Sequence, residues 1–185
     1  WIIQERCRLV ALLGIGGIGK TALSVKLAEQ LQDKFEYVIW RSLHNAPSLE
    51  SLLASLIEFL SNQQEIDLPD DVNHRISRLF DYLKKHRCLI VLDNAETILC
   101  NPATQEGCKG YGALFKRIGE SRHQSCLVLT SREKPKEIAA LEGEIFPIRS
   151  LQLPGLATAE GQEIFRGKGN FSGSENDWKT LIQSY

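Results

Sequence analysis

Gly14-Ile15-Gly16-Gly17-Ile18-Gly19-Lys20-Thr21 is the stretch that decides how this chain folds. It satisfies G-x-x-x-x-G-K-[ST] at every fixed position. The segments on either side have different periodicities. Arg8 to Leu13 (RLVALL) is a short continuous apolar run, the pattern of a strand buried on both faces. Leu23, Leu27 and Leu31 recur at helical spacing and predict a helix over Lys20 to Leu31. A glycine-rich turn between a buried strand and a helix lets successive backbone N–H groups surround a phosphate, and the helix points its positive end at the same anion. Lys20 can then reach β and γ oxygens, and the Thr21 hydroxyl is placed to hold Mg²⁺. The candidate phosphate-binding set is Gly14, Gly16, Gly17, Ile18, Gly19, Lys20, Thr21 and Ala22.

Working outward, the alternation of strand and helix patterns continues. Tyr37 to Trp40 predicts a second strand. Ser48 can cap a helix whose apolar face is Leu49, Leu52, Leu53, Leu56, Ile57 and Leu60. Asp70 or Asp71 opens another, with Val72, Ile76, Leu79, Phe80 and Leu83 on one side and Lys84 and Lys85 at its negative end. Cys88 to Leu92 is a third strand, and Asn94 to Gly110, with Asn101-Pro102, is mostly loop. Gly112 to Glu120 is a short helix, Cys126 to Thr130 a fourth strand, and Lys136 to Leu141 a helical turn. Glu144 to Ile148 is a weaker fifth strand, placed at an edge because Pro147 interrupts it. Apolar strands alternating with amphipathic helices predict an α/β fold with three layers, a mostly parallel sheet between helices on both faces. After Pro154-Gly155 the pattern changes to two helices, Thr158 to Phe165 and Ser174 to Tyr185. The expected division is residues 1–153 and 154–185, the second part being the start of a helical subdomain.

A phosphate loop needs an acid at the end of another buried strand, and Leu89-Ile90-Val91-Leu92-Asp93 supplies one. Asp93 with Thr21 is the candidate Mg²⁺ pair. The next residue, Asn94, stands where hydrolytic phosphate-loop proteins carry a carboxylate, and an amide is a poor general base. Glu96 is the nearby carboxylate that can substitute, or it is a solvated loop residue. Slow hydrolysis is therefore expected. The fourth strand ends Leu129-Thr130-Ser131-Arg132, on the side of a parallel sheet that faces a ligand crevice. Arg132 is placed to sense a γ-phosphate, with Thr130 or Ser131 as a polar relay. Lys20, Asp93, Glu96 and Arg132 are the candidate catalytic residues, and Ser131 and Arg132 extend the binding set.

Composition narrows the partners. The 185 residues are 43% hydrophobic and 24% charged, with a net charge of -1. That suits a globular core; a strongly basic nucleic-acid face is not expected, although a local patch remains open. Lys34, Lys84, Lys85 and Arg87 form no basic stripe. No apolar run approaches the length of a membrane span, and Trp1-Ile2-Ile3 is followed at once by polar residues, unlike a signal peptide. Five cysteines (Cys7, Cys88, Cys100, Cys108 and Cys126) without a C-x-x-C pair predict buried, reduced thiols and a cytoplasmic setting. The chain has no Met and opens on Trp1, so it is expected to be a piece of something longer.

With these residues in view, the chain resembles the nucleotide-binding domain of the NB-ARC/STAND class of P-loop ATPases. GIGGIGKTALS, FEYVIWRSL, LIVLDNAE and LVLTSRE occur in that family's order and spacing. Ile148 to Leu151 with Glu160 to Phe165 is similar to the segment entering the family's helical lid. The DNAE form looks most like bacterial, especially cyanobacterial, members that carry WD-repeat arrays. The resemblance implies a three-layer P-loop NTPase with strand order 5-1-4-3-2. It also implies ATP and ADP as ligands with Mg²⁺, flanking sensor and output domains, and a switch in which nucleotide exchange permits self-oligomerisation. The family's upstream aromatic-Gly-Arg element and its Gly-x-Pro lid motif are not in these residues, so adenine recognition is incomplete. Three other readings remain open: a P-loop enzyme such as a small-molecule kinase, a DNA-associated ATPase, and a scaffold that never hydrolyses its nucleotide. An absent Asn-Lys-x-Asp motif disfavours a GTPase, and Ile15 stands where partition ATPases carry an extra Lys.

Overall fold

The computed structural model describes residues 1–65, 68–99, 110–143, 145–155 and 157–183. Five strands form one sheet: β1 (Leu9–Leu13), β2 (Tyr37–Ser42), β3 (Cys88–Asp93), β4 (Cys126–Ser131) and β5 (Ile148–Gln152). Their order is β2-β3-β4-β1-β5, which is the expected order read from the opposite edge, and every pairing is parallel.

The apolar runs become strands because both sides of the sheet are covered. Alternate residues of one strand enter two different cores. Leu9, Ala11 and Leu13 of β1 join Ile90 and Leu92 of β3 and Leu127 and Leu129 of β4 on one side. That side is packed by α2 (Leu49–Leu60), α3 (Val72–Lys85), α4 (Tyr111–Glu120) and α5 (Lys136–Leu141). Val10, Leu12, Leu89, Val91 and Val128 face the other side, against Leu27, Ala28 and Leu31 of α1 (Lys20–Leu31) and against Ile2 and Phe35. The caps read from the sequence are in place. Ser48 Oγ accepts from Ser51 N at 3.2 Å, and Asp71 Oδ2 accepts from His74 N at 2.9 Å. Each satisfies an orphan donor of a first helical turn.

Several boundaries differ from the sequence reading, three of them in ways that bear on the fold. The fifth strand is not Glu144 to Ile148. Glu144 lies outside the described residues, residues 145–147 are bends, and β5 begins at Ile148. Pro147 has no N–H to give a ladder, so it precedes the strand, and its carbonyl accepts from Arg8 N at 2.8 Å. Only Ile148 of β5 is buried, and Arg149, Ser150 and Gln152 hid this edge strand from any apolar pattern. The helix expected from Gly112 starts at Tyr111, after Gly110. The loop expected over Asn94 to Gly110 opens with a 3-10 turn at Ala95–Ile98, while its middle, with Cys100, Asn101-Pro102 and Cys108, lies outside the described residues.

Cys7, Cys88 and Cys126 are buried free thiols. Burial pushes Cys88 up to about 11 and raises Cys7 and Cys126 as well, which makes all three poor nucleophiles. No helix among the described residues is long and apolar enough to cross a membrane. Beyond β5, α6 (Thr158–Arg166) and α7 (Glu175–Gln183) pack on one another. Gly161 lies so close to Ile182 that an added Cβ would stand 2.5 Å from its Cδ1, and Phe165 meets the Trp178 ring at 5.4 Å between centroids.

Candidate functional site

The site forms where β1, β3 and β4 end side by side. β1 gives way to the glycine loop at Gly14, whose N–H donates to Ser131 O at 3.2 Å, tying the loop to the end of β4. Gly17 and Gly19 have φ of 81° and 98°, in the left-handed region that only glycine enters without strain. An added Cβ at either would meet no atom within 4 Å, so the loop's rim is open. Gly19 is the N-cap of α1, and no side chain caps that helix. The first-turn N–H groups therefore still lack a side-chain acceptor where a phosphate oxygen would sit.

Lys20 is 8% exposed, and its ammonium donates to Gly14 O at 2.8 Å and Ile15 O at 2.9 Å. A buried cation is thereby held inside the loop, with carbonyl dipoles offsetting its lost hydration. Ile18 is half-buried, and Ala22 is exposed on the first turn of α1.

Asp93 closes the site from the end of β3 and is 5% exposed. Thr21 Oγ1 lies 3.0 Å from both of its carboxylate oxygens, and the Thr130 hydroxyl donates to Oδ1. The same Thr130 oxygen accepts from Asn94 N at 3.0 Å. A hydroxyl and a carboxylate at this spacing are the hard oxygen donors that Mg²⁺ takes alongside phosphate oxygens, so Thr21 and Asp93 fit that ion. Asn94 has φ of 65°, a left-handed position that Asn tolerates better than most residues. Its identity answers a backbone requirement as well as a chemical one.

Arg132 follows β4 and is exposed, with Nε 3.1 Å from Glu96 Oε1. Its Nη2 lies 3.4 Å from the point a Cβ on Gly16 would occupy, so the guanidinium stands over the glycine loop. Ser131 is fully buried. Its hydroxyl accepts from Glu133 N at 3.3 Å, and its carbonyl holds Gly14. Lys20, Thr21, Asp93, Glu96 and Arg132 are thus brought to one end of the sheet, while Ser131 supports them from beneath.

Two features escaped the sequence reading. From sequence Thr130 reads only as a relay to Arg132, yet it orients Asp93. The signal was the β3/β4 register, which sets Leu92 against Leu129 and leaves the next residues, Asp93 and Thr130, side by side. The second is an apolar cavity of about 300 Å³ between Gly17 and Ile18 of the loop and Phe165, Leu181 and Ile182 of α6 and α7. It needs α6 and α7 in place, which no local pattern gives.

The NB-ARC domain family matches residues 2–109. This chain belongs to the NB-ARC family. Among its relatives is a WD repeat-containing protein of Nostoc sp., 52% identical over all of this NB-ARC chain, which spans 16% of that protein's length. A nucleotide-binding leucine-rich repeat-like protein of Hyaloscypha variabilis is 25% identical over 97% of the chain, spanning 18% of that protein. Among solved structures, the ADP form of the Aeropyrum pernix ORC2 protein covers 96% of the NB-ARC chain and 51% of its own, with a TM-score of 0.61 at 15% identity. That likeness concerns the fold, the five-stranded parallel sheet of P-loop NTPases. A nucleotide-binding domain of this family is therefore what the sheet and loop build.

Proposed function

We propose that this NB-ARC domain binds ATP and ADP with Mg²⁺ and serves as the switch of a longer signalling protein, hydrolysing ATP slowly. The observation that carries this reading is the Thr21 hydroxyl 3.0 Å from both Asp93 oxygens at the mouth of a loop whose lysine is already seated. In this reading Lys20 and the amides of Gly16, Gly17, Gly19 and Thr21 bind the phosphates, with Ala22 beside them in the first turn. Thr21 and Asp93 hold the metal, and Thr130 keeps the carboxylate turned toward it. When bound, Mg²⁺ would neutralise negative charge on the phosphates.

Slow turnover follows from Asn94, which cannot take a proton, and from Glu96, whose carboxylate is engaged by Arg132. Residues 1–153 form the nucleotide domain and 154–185 the start of a lid, the apolar cavity at Ile18 and Phe165 being where the two approach. The Nostoc relative's WD repeats support a flanking repeat array as sensor. Opening of the lid, self-oligomerisation, an output domain and a cytoplasmic setting complete the proposal; the net charge of -1 gives nucleic acid no evident role. The same Asn94 favours a second reading, a nucleotide-bound scaffold without turnover.

Titration calorimetry with Mg-ADP and Mg-ATP tests the central point. Lys20→Ala removes the buried ammonium and is expected to weaken both nucleotides about a hundredfold or more. Equal isotherms for wild type and variant would overturn the phosphate-loop reading.

A further inference from the structure

Glu96 and Arg132 lie on different strands' exits, after β3 and after β4, and meet above the glycine loop. Glu96 Oε1 pairs with Arg132 Nε at 3.1 Å, and Nη2 is the guanidinium atom nearest the point a Cβ on Gly16 would occupy. A guanidinium is a planar fork with donors on several edges, so a carboxylate on one edge fixes its direction and leaves the others for a second anion. Glu96 is itself well anchored. It sits in the 3-10 turn Ala95–Ile98, whose Ala95 and Ile98 are buried. The Thr97 hydroxyl of the same turn donates to Leu43 O and Asn94 O, and Asn94 N donates to the Thr130 hydroxyl that also holds Asp93. The Glu96 side chain is 19% exposed and that of Arg132 is 63% exposed. The carboxylate is the fixed partner, and the guanidinium is the one it aims.

Resting on the nucleotide reading above, we infer that Glu96 is a positioning residue. It points the terminal nitrogens of Arg132 at the γ-phosphate and so sets the domain's preference for triphosphate over diphosphate, rather than serving as a base for water. A flexible arginine on the surface would lose rotamer freedom on meeting a phosphate, and pre-alignment by Glu96 removes that cost before binding. In this inference the guanidinium meets the γ-phosphate, which a diphosphate lacks, so only the triphosphate gains from the alignment.

The test compares Mg-ADP with the Mg complex of adenosine 5′-(β,γ-imido)triphosphate, titrated into the full chain and its variants. Glu96→Gln keeps shape but loses charge. It is expected to weaken the imido analogue about tenfold while ADP affinity stays within about twofold. Arg132→Ala should produce the same loss, and the double variant should be no worse than Arg132→Ala, because the two residues act as one unit. Glu133→Gln, an equal charge change beside Arg132 without contact to its guanidinium, should keep the wild-type preference. Arg132→Lys approaches the pair from the other side and should also lose the preference, which covers a Glu96 variant that fails to fold. Two results would overturn the inference. One is a Glu96→Gln protein that keeps the wild-type preference but releases phosphate from ATP more slowly, which marks a general base. The other is an equal weakening of both ligands, which marks a structural role. If wild type binds neither ligand, the nucleotide reading itself fails, and this inference falls with it.

Discussion

Lys20 and Thr21 were legible because the chemistry they need is contiguous. One loop supplies the glycines, the ammonium and the hydroxyl within eight positions, and a single pattern captures them. Thr130 and the Glu96–Arg132 pair were not, since each depends on which strands are neighbours and in what register. Asn94 shows a third limit: a sequence gives its poor basicity but not its left-handed φ of 65°.

His123, also at the residue scale, lies outside any motif yet carries a pH dependence. Burial, aided by the nearby Arg8 charge, lowers its pKa below the ordinary imidazole range. Ser125 N donates to Nδ1 at 3.3 Å, and Nε2 lies 3.0 Å from Ile118 O, so the native site suits the neutral ring with its proton on Nε2. The unfolded imidazole takes up its proton first as pH falls. This contribution to stability is therefore fully present above the unfolded pKa and is lost as pH drops through the ordinary histidine range toward the lowered value. Urea unfolding at pH 7.5 and pH 5.5 should show wild type weakening more than His123→Gln. The carboxylates with depressed pKa values, Glu36, Glu65, Glu142 and Asp177, act only at lower pH. Equal losses in the two proteins would remove His123 from the account.

At the scale of elements, period decided success. α2 was read almost to the residue because six leucine and isoleucine positions fall on one face after a serine cap, and all six are buried. β1, β3 and β4 were equally clear because a strand covered on both sides cannot hide a polar residue in its middle. β5 was displaced because an edge strand has no such requirement: its one buried residue is Ile148, and the rest is polar or exposed. Leu53, fully buried in α2, belongs to the larger core. Leu53→Ala should cost about 2–5 kcal/mol in chemical denaturation, through lost transfer energy and an unfilled cavity. A change below about 1 kcal/mol would mean that α2 does not pack on the sheet as described.

At the scale of the whole molecule, the topology does the positioning. Parallel strands in the order β2-β3-β4-β1-β5 set the ends of β3 and β4 beside the exit of β1. An acid 72 residues beyond Thr21 thereby arrives within hydrogen-bonding distance of it. The opposite end of the sheet, where Arg6, Arg87 and His123 line a smaller cavity, has no part in the proposed binding. This polarity gives the most direct test of the central claim, a titration of ¹⁵N-labelled protein with Mg-ADP followed by amide resonances. The account predicts the largest shifts at Gly16, Gly17, Gly19, Lys20 and Thr21, with Asp93 and Asn94 following and Arg87 and Ser125 unmoved. Shifts centred at the Arg87 end, or none at millimolar nucleotide, would contradict it.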